Sequence, residues 1–118
     1  MKSSQAITAD GPAENSKKLF VFIVRHGHRA DHDPENFPEY EGHIDAPLTP
    51  HGKKQAEETG AYLKGYLQAL EQKHKLAFDS IEIECSPFGR CKTTAARISS
   101  HLNLQPVKVN YHFGEVLF

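Results

Sequence analysis

The run LFVFIV at residues 19–24 restricts the fold more than any other feature of the chain. It is too short to span a bilayer, which takes about 20 apolar residues in a helix. It has no polar alternation, so it does not read as a strand with one wet face. Its β-branched and aromatic composition is that of a strand buried on both faces, as in the parallel sheet of an α/β fold. The run ends at Arg25, where the chain changes to RHGHRAD and gathers two arginines and two histidines around one glycine.

The rest of the chain supports an α/β reading. Residues 1–18 carry few large apolar side chains and no sustained period, and are expected to form a disordered leader. Residues 30–47 hold three prolines and the acids Asp31, Asp33, Glu35, Glu39, Glu41 and Asp45, the composition of a long surface loop. A helix is expected from Pro50, with Thr49 as its N-cap. Ala56, Leu63, Leu67 and Leu70 form its apolar stripe. Gly60 and Gly65 weaken that helix, which implies close packing at one or both.

The segment FDSIEIECS alternates Ile81 and Ile83 with acids and predicts a second strand. Ser86 and Pro87 repeat the cap-then-proline start, and Cys91, Ala95, Ile98 and Leu102 share one face of the helix that follows. VKVNYHF, after Pro106, predicts a third strand with Val107 and Val109 on one side. The order strand, loop, helix, strand, helix, strand is that of a parallel α/β sheet.

A formal charge of −1 over 118 residues argues against nucleic acid or a membrane surface as partner, since either requires a basic excess. Cys85 and Cys91 have no metal-ligand spacing and read as reduced thiols of a cytoplasmic protein. His43, His51, His74 and His101 are scattered and read as surface residues, with no metal site among them.

Ligands of an open parallel sheet bind beyond the carboxyl ends of its strands. Here those ends carry Arg25, His26, Gly27, His28 and Arg29, then Ser86 and Arg90, then His112 and Glu115. Arg90 lies in the first turn of a helix, where free N–H groups and the dipole favour an anion. Guanidiniums that each hold two oxygens, beside a helix start, describe a phosphate pocket better than a carboxylate pocket.

RHG at residues 25–27, PLTPHGKKQA at 47–56 and SPFGRCKTTA at 86–95 resemble three signatures of the histidine phosphatase superfamily, in matching order. RHGHRAD and the SPxxRC spacing resemble most the branch that contains the suppressor-of-T-cell-signalling phosphatases and other eukaryotic members. The resemblance implies a parallel-sheet three-layer sandwich of the phosphoglycerate mutase-like type. It also implies a phosphomonoester phosphatase that needs no metal or cofactor, with a phosphorylated small molecule or phosphoprotein as substrate.

By the same resemblance His26 is the nucleophile, its other ring nitrogen held by a backbone carbonyl. Arg25, Arg29 and Arg90 bind the phosphoryl oxygens, and Glu115 is the candidate general acid. Arg29 is also placed to pair with Asp31 or Asp33. The family pocket contains a second histidine on a later strand, and the chain stops at Phe118 before one is met. Residues 19–118 are therefore expected to be the N-terminal portion of such a domain, incomplete at the C-terminus.

The pattern departs from the family at several places. Arg29 and His32 stand where the mutase pattern has serine and asparagine, which disfavours a mutase. His28 replaces a glutamate common in the eukaryotic branch, and Thr93 a glutamine. An inactive phosphate- or phosphopeptide-binding remnant is the alternative function, and a fragment that does not fold alone is a third reading. CKTTAAR, residues 91–97, matches the C-x5-R spacing of cysteine-dependent phosphatases, but its helical N–H groups are bonded internally and cannot cradle an anion.

Overall fold

A computed structural model describes residues 4–10, 18–104 and 107–114. Its elements are β1 (Ser4–Asp10), β2 (Lys18–Val24), α1 (Pro50–His74), β3 (Glu84–Cys85), α2 (Gly89–Leu102) and β4 (Lys108–Val109), with short 3-10 turns at Ala30–His32, Pro38–Tyr40 and Tyr111–Phe113. The architecture is α/β, two helices packed together beside a small parallel sheet and an antiparallel strand pair.

Helix α1 begins as its sequence predicts. The Thr49 hydroxyl accepts the Gly52 N–H at 3.0 Å, and Pro50 fills the first helical position. The helix ends at Lys75 in the left-handed conformation, φ 50°, whose N–H closes on the Glu71 and Gln72 carbonyls. Ala56, Leu63 and Leu70 are buried, and Leu67 is half-buried. A methyl added at Gly60 would lie 2.9 Å from the His101 ring, so this glycine is where α1 admits α2. Gly65 faces open space, so close packing applies to Gly60 alone. His101 is thus a packing residue rather than the surface histidine expected.

Helix α2 starts later than the Ser86–Pro87 signature suggests. Phe88 is the N-cap, because its carbonyl accepts the Cys91 and Lys92 N–H groups, while Ser86 Oγ takes only the Phe88 N–H at 3.4 Å. Ala95 and Ile98 are buried as expected, and Cys91 and Leu102 are half-buried. The face also buries Arg90, Thr94 and Ser99.

The strands depart most from expectation. β3 and β4 pair in parallel over only two residues each, Glu84 with Lys108 and Cys85 with Val109. Tyr111–Phe113 turns into a 3-10 helix where a strand was expected. β2 pairs antiparallel with β1, in register from Ser4 opposite Val24 to Asp10 opposite Lys18. Part of the expected disordered leader is therefore a strand, formed by main-chain pairing that needs no apolar pattern.

Nor is β2 buried on both faces. Phe20 meets His74 and Phe78, and Phe22 meets Tyr66 edge-on at 5.7 Å, so one face packs on α1 and the chain beyond it. On the other face Leu19, Val21 and Ile23 are 60%, 41% and 58% exposed. Among the described residues no helix is long and apolar enough to cross a membrane.

Candidate active site

The chain leaving β2 is clamped against the start of α1. The Ala30 N–H donates to Pro47 O at 2.9 Å, the Thr49 N–H donates to His28 O at 3.0 Å, and Arg29 bridges Leu48. Gly27 and Gly52 lie back to back. A methyl added at Gly27 would stand 2.8 Å from the Gly52 carbonyl carbon, and one at Gly52 would stand 2.8 Å from the His28 nitrogen. Only glycine at both positions allows this approach.

Side chains from both helices complete the clamp. Gln55 Oε1 accepts the His28 N–H at 2.8 Å, and His28 Nδ1 shares a hydrogen with Thr49 Oγ1 at 2.8 Å. Thr94 Oγ1 accepts the Gly27 N–H at 3.2 Å and donates to Arg90 O at 2.8 Å. The segment around His26 is thus tied to α1 and α2 together.

His26 Nδ1 lies 2.7 Å from Gly27 O. A carbonyl only accepts, so Nδ1 carries the hydrogen and Nε2 keeps its lone pair. Burial lowers the His26 pKa below its ordinary 6.5; the bond to Gly27 opposes this, while Arg90, Arg29 and Arg25 push it further down. The ring is held neutral in a field of three cations, which suits a nitrogen nucleophile directed at an anion.

The arginines are held differently. Arg90 is 1% exposed, with its guanidinium 4.3 Å over the Phe88 ring and an Nη1 donating to Ile44 O at 3.3 Å. Arg29 pairs with Asp31 bidentately, Nε to Oδ1 at 2.9 Å and Nη2 to Oδ2 at 2.6 Å. That hydrogen-bonded pairing depresses the Asp31 pKa and keeps the carboxylate ionised. Arg25 is exposed at the end of β2. Arg25, Arg29 and Arg90 all act electrostatically on His26, and Asp31 is the partner that Arg29 takes.

Glu115 lies outside the described residues. The chain passes Pro87 at Gly114, where an added methyl would be 3.7 Å from Pro87 Cγ, while His112 is exposed in the preceding turn. Residues 91–97 lie inside α2, which removes the C-x5-R loop. Cys85 and Cys91 are free thiols, and burial raises the Cys85 pKa. Among the described residues no group of three or more His, Cys, Asp or Glu could hold a metal ion.

Four residues of this region carry no role in a reading of the sequence: Asp45, Gly52, Gln55 and Thr94. Gly52 and Gln55 had a signal, since they follow Thr49 within the PLTPHGKKQA motif at the turn spacing of a helix start. Asp45 reaches the Gly89 N–H at 2.7 Å across 44 residues, a contact that only the folded loop creates.

A family model described as the histidine phosphatase superfamily (branch 1) matches residues 21–118. No curated protein and no solved structure matches the chain.

Proposed function

Since the chain belongs to the histidine phosphatase superfamily, branch 1, we propose that it is a phosphomonoester phosphatase working through a phosphohistidine on His26. The observation that carries this reading is the state of that ring. Nδ1–H is donated to Gly27 O at 2.7 Å, and burial, joined by the charges of Arg90, Arg29 and Arg25, lowers the pKa of the ring, so Nε2 keeps its lone pair.

In this reading Nε2 attacks the phosphorus and the ester oxygen departs. Arg25, Arg29 and Arg90 hold the phosphoryl oxygens and balance the charge that builds on them. The ring gains positive character as the N–P bond forms, and the Gly27 carbonyl on Nδ1–H stabilises it. Glu115 is the proposed donor of the proton to the leaving oxygen, and water then cleaves the N–P bond and regenerates His26. The substrate class is a phosphorylated small molecule or phosphoprotein.

The fold proposed with this activity is the three-layer sandwich, with residues 19–118 as its N-terminal portion. It is supported by the apolar composition of both faces of β2, of which the Leu19, Val21 and Ile23 face stands exposed.

One observation favours a second reading, a phosphate-binding module without turnover. Among the described residues, the carboxylates of Asp31 and Asp45 are already engaged, Asp31 with Arg29 and Asp45 with the Gly89 N–H, and Asp31 is held ionised. Asp31 in that state has no proton to deliver. Hydrolysis of p-nitrophenyl phosphate separates the two readings. The phosphatase hydrolyses it and His26→Ala abolishes the reaction; a binding module takes up phosphate without hydrolysis, and full activity in His26→Ala excludes the mechanism.

A further inference from the structure

The loop that precedes α1 grips the first two residues of α2 at adjacent positions. Asp45 Oδ1 accepts the N–H of Gly89, the first residue of the helix, at 2.7 Å. Ile44 O, one residue earlier, accepts from the Arg90 guanidinium at 3.3 Å. Ala46, one residue later, is 0% exposed and Leu48 4%, so the gripping segment is anchored in the core. A methyl at Gly89 would lie 3.4 Å from Asp45 Oδ1 and 3.7 Å from Oδ2, so the carboxylate rests directly against that backbone. A carboxylate at a helix start also favours the helix through its dipole.

We infer that Asp45 is a positioning residue, acting through Gly89 to fix the first turn of α2 and so aim the Arg90 guanidinium at His26. The inference rests on the phosphate-site reading above. Asp45 accepts its hydrogen bond from Gly89. Its charge alone would repel a phosphate, and its hold on Gly89 would compete with one for that N–H. Competition and positioning therefore predict opposite signs when Asp45 is removed.

Orthophosphate titration of the whole chain, followed by NMR together with the titration of the His26 ring, tests this. Asp45→Ala should weaken phosphate binding about tenfold, the scale of one charge-assisted hydrogen bond. It should also raise the His26 pKa toward 6.5, because Arg90 no longer bears on the ring. Asp45→Asn keeps the Oδ1 acceptor and should bind phosphate at least as tightly as the native chain, with the His26 pKa unmoved.

Unchanged or tighter binding in Asp45→Ala overturns the inference while leaving the site intact. Equal binding by the native chain and Arg90→Ala overturns the site reading itself. Should Asp45→Ala fail to fold, Asp45→Glu carries the test. Its longer arm displaces the helix start, so it should bind phosphate more weakly than Asp45→Asn, and equal affinities contradict positioning.

Discussion

The two ends of one segment are held in opposite ways. Beyond the carboxyl end of β2, Gly27 presses backbone to backbone on Gly52, with Thr94, Gln55 and Thr49 occupying the polar groups around it. Along the body of β2, Leu19, Val21 and Ile23 stand exposed while the opposite face alone is packed. The site corner is determined by contacts among residues 25–95, whereas the outer face of the strand is not. The corner around His26 thus forms from contacts that do not involve the outer face of β2.

The largest expected effect lies at the glycine pair. Gly27→Ala or Gly52→Ala must push two backbones apart, costing about 3 kcal/mol or more, with loss of phosphate binding. Gly65→Ala, on the same helix but facing open space, should instead stabilise by up to about 1 kcal/mol. Urea unfolding of the three variants checks the contrast, and equal destabilisation by all of them would erase it.

A second effect is read in pH. The folded His26 pKa lies below 6.5, so the ring stays neutral to lower pH than in an open chain. The contribution of this group to stability is full above 6.5 and is lost as pH falls through the folded value. The acid limb of kcat/KM should have its midpoint below 6.5, and Arg90→Ala should move it upward. A limb that ignores Arg90 would remove that arginine from the field of His26.

The smallest expected effect is on the strand. Ile23→Thr should change stability by no more than about 0.5 kcal/mol, because the side chain is exposed and threonine keeps the strand preference. A loss of about 2 kcal/mol, the scale of a buried isoleucine, would show that the face is covered in solution.

The helices are more legible in the sequence than the sheet. The Thr49 cap, the proline start of α1 and the buried face of Ala95 and Ile98 follow from local spacing. These signals act within a few residues. β3 and β4 shrink to two residues each because ladder pairing depends on neighbours that no local pattern specifies. β1 escaped notice because its pairing with β2 is made by main-chain groups.

The Asp45 contact with Gly89 and the Gly27 contact with Gly52 are meetings of distant backbone, invisible until the loop of residues 30–47 closes. The Arg29–Asp31 pair was legible as an alternative, and the structure forms it without removing Arg29 from the field of His26.

The central claim is that the phosphoryl group passes to His26 Nε2. Rapid quenching of the chain with a phosphomonoester, followed by mass-spectrometric mapping of the phosphorylated peptide, tests it directly. The expected product is an acid-labile, base-stable phosphoryl group on His26 that is absent from His26→Ala. Hydrolysis with the label on another residue, or undiminished in His26→Ala, would contradict it.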